Sequence, residues 1–196
     1  WLPIGVARIV AITISALGMA LMLISFRPFA AASLFENTSK NGDSLNQIGF
    51  LAAGVVSLLA LACLVNRKAL ASLFSPGFVL LGLLIAINVV QSPDPASTFR
   101  SVTLTVIGML IAFSVIVLPR GENDFRLALL VGSGAALSLS YIGLAFFPNL
   151  AMHGFDAYEP QHAGLWRGHF SHKNIAGPVM SIIAIFGIYL MRSGQR

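Results

Sequence analysis

The sequence is poor in charged residues and in cysteine, and each shortage excludes a class of protein. Only 10% of its 196 residues are Asp, Glu, Lys or Arg, whereas a soluble domain carries roughly a quarter. The single cysteine, Cys63, excludes an intrachain disulfide framework and a thiolate metal site. Hydrophobic residues make up 57% of the chain, and the mean hydropathy is +0.85. Water is therefore not the main solvent of this chain.

Long apolar runs take the place of the missing charges. They lie at residues 5–25, 47–65, 76–91, 101–118, 126–147 and 174–191. A helix of about 20 mostly apolar residues crosses a hydrocarbon core of roughly 30 Å. The sequence therefore predicts an all-α, polytopic membrane helical bundle with about six transmembrane helices. We expect residues 1–196 to form a single transmembrane domain, the N-terminal half of a longer protein.

The basic residues indicate how the chain is oriented. The net charge is +5, but Lys and Arg stand at the ends of the apolar runs rather than in one patch, which argues against a nucleic-acid partner. Their distribution among the short loops predicts cytoplasmic termini. The loop at 148–173 would then face outward, into the periplasm of a bacterium. We expect the inner membrane as the location and the lipid bilayer as a partner.

The fifth run carries a ridge of small residues at a spacing of four. They are Ala128, Gly132, Ala136 and Ser140. Such a ridge lets another helix approach closely. We expect it to serve helix contacts within the chain rather than oligomerisation.

The loop at 148–173 is chemically the densest part of the chain. It contains all four histidines, at His153, His162, His169 and His172. Loops carry function more often than the helices that they connect, although an ordinary polar loop at the membrane interface would also tolerate histidine. A metal site at His169 and His172 is disfavoured because Lys173 would repel a cation. No metal is expected.

The end of this loop predicts an anion site. Arg167 and Lys173 come just before the sixth run, where the first helical turn has free N–H groups and the positive end of the helix dipole. Asn174 is the expected N-cap, and Pro178 predicts an irregular start to this helix. Arg grips phosphate oxygens with two parallel hydrogen bonds and Lys adds a point charge. A phosphate or diphosphate is therefore the expected ligand.

At these residues the sequence resembles a known family. The segment Trp166-Arg167-Gly168-His169-Phe170-Ser171-His172-Lys173-Asn174-Ile175-Ala176-Gly177 is similar to the G-x-F-x-H-K-N-x-x-G signature of the O-antigen ligase and exopolysaccharide polymerase family. The segment Ser92-Pro93-Asp94-Pro95, which leads to Arg100, resembles a second and weaker family feature. The hydropathy pattern is compatible with this family along the whole chain.

The resemblance implies a bacterial inner-membrane glycosyltransferase without a nucleotide sugar, a cofactor or an essential metal. Such enzymes pass a glycan from undecaprenyl diphosphate to an acceptor hydroxyl on the periplasmic side, among other polysaccharide assembly proteins. The compact H-K-N form favours the polymerase branch. We expect Arg167, Lys173, Asn174 and Arg100 to bind substrate. Because family members are longer, we expect this piece alone to be inactive.

The chemistry of glycosyl transfer suits the same residues. Departure of a diphosphate needs cations, and the acceptor hydroxyl needs a general base. His172 or His169 could be that base, since an unperturbed imidazole titrates at about pH 6.5.

Two rival functions stay open. A transporter component would use a broken sixth helix to line a substrate path, but apart from Asn88 and scattered Ser and Thr the runs are apolar. A non-catalytic assembly subunit would use the small-residue ridge as an interface. Neither rival explains why cations and histidines gather at one helix start.

Overall fold

The predicted all-α bundle is confirmed. A computed structural model of the chain describes residues 3–24, 26, 28–29, 44–66, 70–71, 75–155, 160–170 and 173–194. Seven α-helices lie in this part of the chain: α1 (Ile4–Ile24), α2 (Ser44–Leu64), α3 (Pro76–Gln91), α4 (Pro95–Val117), α5 (Glu122–Phe146), α6 (Pro148–Ala151) and α7 (Lys173–Ser193).

Five of the described helices are long and apolar enough to cross a membrane, namely α1, α2, α4, α5 and α7. The chain is therefore a multi-pass membrane protein. The predicted third span forms α3, a helix of 16 residues at the expected bounds. At 1.5 Å per residue it extends about 24 Å, which is short of a hydrocarbon core of roughly 30 Å. Pro76 begins α3, and the Pro93 and Pro95 ring constraints prevent its continuation into α4.

The packing of α2 against α4 shows the path that the chain takes through α3. Gln47 and Arg100, near the starts of α2 and α4, line the same groove. Leu61 and Leu118, at the other ends, belong to one buried cluster. The two helices are therefore parallel, so the chain between them returns from one end of the bundle to the other. The short apolar helix α3 lies on that return path.

Helix α1 is central and packs mainly on α5. It also contacts α4 and α2, while α7 packs on α5. The ridge of α5 faces α1, and a Cβ atom at Gly132 would come within 2.6 Å of the Met19 Cγ. Ala136 is fully buried between Leu23 of α1 and Ile183 of α7. The small residues therefore serve contacts within the chain.

An ion pair ties the first turns of α1 and α5 together. The Arg8 guanidinium donates to the buried Asp124 carboxylate, with Nη2 at 2.6 Å and Nε at 2.9 Å from Oδ1. The two helices are parallel, so their last turns also lie together at the opposite end of the bundle. The motif loop, defined as residues 148–172, follows α5 at that end.

Candidate functional site

The first part of the motif loop folds back on itself as a small hairpin. Met152 and Trp166 form an antiparallel bridge. The His153 N–H donates to the Leu165 carbonyl at 2.9 Å, and the Gly164 N–H donates to the His153 carbonyl at 2.9 Å. Gly164 has a φ of +78°, a conformation that favours glycine. Backbone hydrogen bonds thus hold residues 152–153 against residues 164–166 before the chain reaches the motif.

The short helix α6 anchors the motif itself. The carbonyl of the buried Ala151 accepts from the Arg167 N–H at 2.9 Å and from the Gly168 N–H at 3.0 Å. Gly168 has a φ of +64°, and a Cβ atom there would stand 2.9 Å from the Ser140 Oγ. Both the backbone conformation and the close approach to α5 therefore require glycine at this position.

His169 is buried at the centre of the site, with 1% of its surface exposed. Its Nδ1 lies 2.6 Å from the Ser140 Oγ of α5, and its Nε2 lies 3.1 Å from the Leu23 carbonyl oxygen of α1. A carbonyl only accepts, so Nε2 carries the proton and Nδ1 accepts from the Ser140 hydroxyl. The backbone carbonyl of His169 also accepts from the Phe29 N–H at 2.8 Å.

These contacts bear on the chemistry that His169 can perform. Burial lowers the pKa of its imidazole below the usual value, and the Leu23 carbonyl opposes that shift because it favours the protonated ring. The ring is therefore neutral at pH 7. Since both nitrogens are already hydrogen-bonded, the arrangement favours a positioning role over the role of base.

Arg167 is the buried cation of the site. Its side chain is 6% exposed, and burial lowers its pKa from the usual range. The guanidinium keeps its charge nonetheless, because an arginine is not deprotonated in a protein. Beside it, the Trp166 ring stacks on Tyr141 of α5, with ring centroids 6.4 Å apart. The loop thus holds a positive charge below its surface where α5 ends.

The start of α7 differs from the sequence prediction. The helix begins at Lys173, so Asn174 is an exposed residue of the first turn and not the N-cap. Pro178 lies inside a continuous helix, where its ring removes only the hydrogen bond to the Asn174 carbonyl. The expected break is therefore absent from the described helix. His172 and the side chain of Lys173 lie outside the described residues.

Arg100 lies at the same end of the bundle but on other helices. It is exposed in the second turn of α4 and lines a groove of about 440 Å³ against α2. The preceding Asp94 caps α4, since its carboxylate accepts from the Ser97 N–H at 3.1 Å. The contacts described above for His169 come instead from α1, α5 and Phe29. Among the described residues, none from the motif loop lines the groove of Arg100.

The site contains residues that sequence reasoning missed. The sequence pattern places Ser140 in the small-residue ridge and indicates no role for Leu23 or Phe29. The sequence does contain one indication of Ser140, because it is the only hydroxyl residue in a ridge otherwise made of Ala and Gly. Among the described residues, no three His, Cys, Asp or Glu side chains are grouped so that they could hold a metal ion.

The fold and the site define a class: a multi-pass membrane protein with a cation-bearing loop at one end of its helical bundle. Comparisons of the chain with protein-family models, curated proteins and solved structures found no match. Membership of the O-antigen ligase and polymerase family therefore stays a prediction from the motif residues.

Proposed function

We propose that this chain belongs to a membrane glycosyltransferase of the O-antigen ligase or polysaccharide polymerase type. It would take a glycan linked through diphosphate to undecaprenol and pass it to an acceptor hydroxyl on the periplasmic side of a bacterial inner membrane. The observation that carries the proposal is the buried Arg167, held by backbone hydrogen bonds in the motif loop.

A buried guanidinium suits a lipid diphosphate for two physical reasons. Charges attract more strongly where water is excluded, and a fixed planar fork matches two phosphate oxygens. The donor's prenyl chain would remain in the bilayer while its diphosphate stands at the headgroup level, beside the end of α5. The position of the site at the end of a candidate membrane-spanning helix supports this part of the proposal.

The remaining roles follow from the reaction. The acceptor oxygen attacks the anomeric carbon, the bond from that carbon to the diphosphate oxygen breaks, and the acceptor proton passes to a base. In this proposal Arg167 and Lys173 stabilise the departing diphosphate, with Asn174 beside it in the first turn of α7. His172 is the proposed base, because His169 has both nitrogens engaged. Arg100 would contact a more distant part of the substrate.

The features that favoured the rival functions are used differently in this fold. A transporter component drew support from a broken last helix, whereas α7 continues through Pro178. A cavity of about 400 Å³ between α1, α2 and α4 is lined almost wholly by apolar side chains, which suits a lipid chain better than a polar glycan. The ridge that suggested an assembly subunit packs against α1.

Binding of undecaprenyl diphosphate to the purified protein in nanodiscs tests the proposal. Arg167→Ala should weaken binding by about ten- to a hundredfold, the equivalent of roughly 1.5 to 3 kcal/mol for a charge-assisted contact. Arg167→Lys should recover only part of this loss, because an ammonium cannot form the bidentate pair.

Arg120→Ala is the matched control, since Arg120 lies before α5 at the opposite end of the bundle. It should leave the affinity unchanged. Equal affinities in wild type, Arg167→Lys and Arg167→Ala would contradict the proposed role of Arg167 and, with it, the proposed function.

A further inference from the structure

Three separate parts of the chain meet at His169. Its ring joins Ser140, near the end of α5, to the Leu23 carbonyl, near the end of α1. Its backbone carbonyl joins the segment after α1 through Phe29. His169 is two residues from Arg167 along the chain, so these contacts restrict the backbone that carries the Arg167 side chain.

The contacts at His169 restrict the backbone of residues 167–169. Ser140 is fully buried. Its Oγ lies close to the His169 Nδ1 and to the point that a Cβ atom at Gly168 would occupy. The Phe29 ring packs against Gly143, where α5 has no side chain. Gly168 turns the backbone through a left-handed conformation between Arg167 and His169. A shift of the imidazole would therefore move the arginine as well.

We propose that Ser140 is a positioning residue for lipid-diphosphate binding: through His169, it and the Leu23 carbonyl hold Arg167 at the end of α5. This inference rests on the proposed function for the identity of the ligand. The clamp itself, defined as Ser140, His169 and the Leu23 carbonyl, rests on hydrogen bonds between α1, α5 and the loop.

Ser133 provides a matched control on the same helix. It is also buried on α5, but its hydroxyl donates to the Leu129 carbonyl at 2.5 Å, within its own helix. Ser133→Ala and Ser140→Ala therefore remove the same group from similarly buried positions. Only the second change removes a contact to the motif loop.

A double-mutant cycle separates positioning from general loss of stability. Ser140→Ala should weaken undecaprenyl diphosphate binding in nanodiscs by about two- to tenfold, the range expected for one neutral hydrogen bond. In an Arg167→Ala background the same change should have no further effect, because Ser140 acts through Arg167. Ser133→Ala should leave binding unchanged in both backgrounds. Full multiplication of the Ser140→Ala and Arg167→Ala losses would overturn the proposal.

Fluorescence of Trp166 tests the clamp without any ligand. In a Trp1→Phe background, Trp166 is the remaining tryptophan, and it is adjacent to Arg167. Ser140→Ala should increase quenching of Trp166 by acrylamide, whereas Ser133→Ala should not. Unchanged quenching would overturn the positioning role. If the wild-type protein fails to bind undecaprenyl diphosphate, the proposed function fails, and the quenching result alone decides whether Ser140 positions the loop.

Discussion

At the scale of single residues, the motif contains two kinds of position. Gly168 and His169 are required by the fold, since one allows a left-handed turn against Ser140 and the other joins α1 to α5. Arg167 is also buried by the loop, and under the proposed function its charge binds the diphosphate. The sequence pattern alone does not separate these kinds, because a structural histidine and a catalytic histidine look alike in it.

The lowered pKa of His169 predicts how stability depends on pH. The folded-state pKa lies below the value of about 6.5 expected in the unfolded chain, so the unfolded state binds more protons between the two values. Stability should therefore be fully present above about pH 6.5 and fall as the pH drops through that window. His169→Gln should remove this part of the decline.

Thermal unfolding midpoints of the purified protein between pH 7.5 and pH 5 measure the effect. His169→Gln should be less stable than wild type at pH 7.5, by about 1 kcal/mol for a lost buried hydrogen bond, yet lose less stability on acidification. Ser133→Ala removes no titratable group and should keep the wild-type pH dependence. Parallel curves for His169→Gln and wild type would contradict the assignment.

At the scale of helices, the parallel pair α1 and α5 organises the bundle. Small residues let their backbones approach closely. The Arg8–Asp124 ion pair joins the two helices near their starts, and the clamp at His169 joins them near their ends. The position of His169 in the motif loop depends on this pair of helices, because its ring is hydrogen-bonded to both. A change that separates α1 from α5 should therefore affect the loop as well as stability.

Two glycines of α5 test this contact. A Cβ atom at Gly132 would meet the Met19 Cγ at 2.6 Å and the Ala16 carbonyl oxygen at 3.1 Å, whereas a Cβ atom at Gly134 would meet nothing within 4 Å. Gly132→Val should lower the free energy of unfolding by about 1 to 3 kcal/mol relative to Gly134→Val, the usual cost of overfilling a close contact. The two changes have the same intrinsic helix propensity, so unfolding midpoints compare the contact alone. Equal midpoints would show that α1 and α5 do not approach closely at Gly132.

At the scale of the whole molecule, the two ends of the bundle differ in charge and in form. One end has the short connection before α5 and gathers Arg8, Arg120, Arg126 and Arg192. The other end has the motif loop. Arginine in short loops favours the cytoplasmic side, so we expect the motif loop to lie outside the cytoplasm.

Cysteine labelling checks this orientation with a matched pair of glycines. Gly121 and Gly154 are both exposed, lie at opposite ends of the bundle and have open space where a Cβ atom would stand. In a Cys63→Ala background, Gly154→Cys should react with a membrane-impermeant maleimide in intact spheroplasts. Gly121→Cys should react only after lysis. The reverse pattern would invert the topology.

The sequence by itself determined the helices, because long apolar runs have one favourable solution in a bilayer. The bounds of α3 were predicted correctly, and those of α5 to within a few residues. The prediction of α3 as a membrane span was less accurate, because a helix of 16 residues is too short to cross the hydrocarbon core alone. The start of α7 was predicted to within one residue. The irregular entry expected at Pro178 was wrong, because the helix continues there at the loss of a single hydrogen bond.

Only the tertiary structure decided what the site residues touch. The motif indicates His169 and Arg167, but it does not show that both are buried. It also does not show the hydrogen bond of His169 to Ser140, which lies 29 positions away in the chain. The contact with the Leu23 carbonyl spans 146 positions, and a backbone carbonyl has no signature in a sequence. Local pattern therefore determines which segments enter the membrane. The parallel arrangement of α1 and α5 decides which atoms meet at their ends, because that arrangement is a property of the assembled bundle.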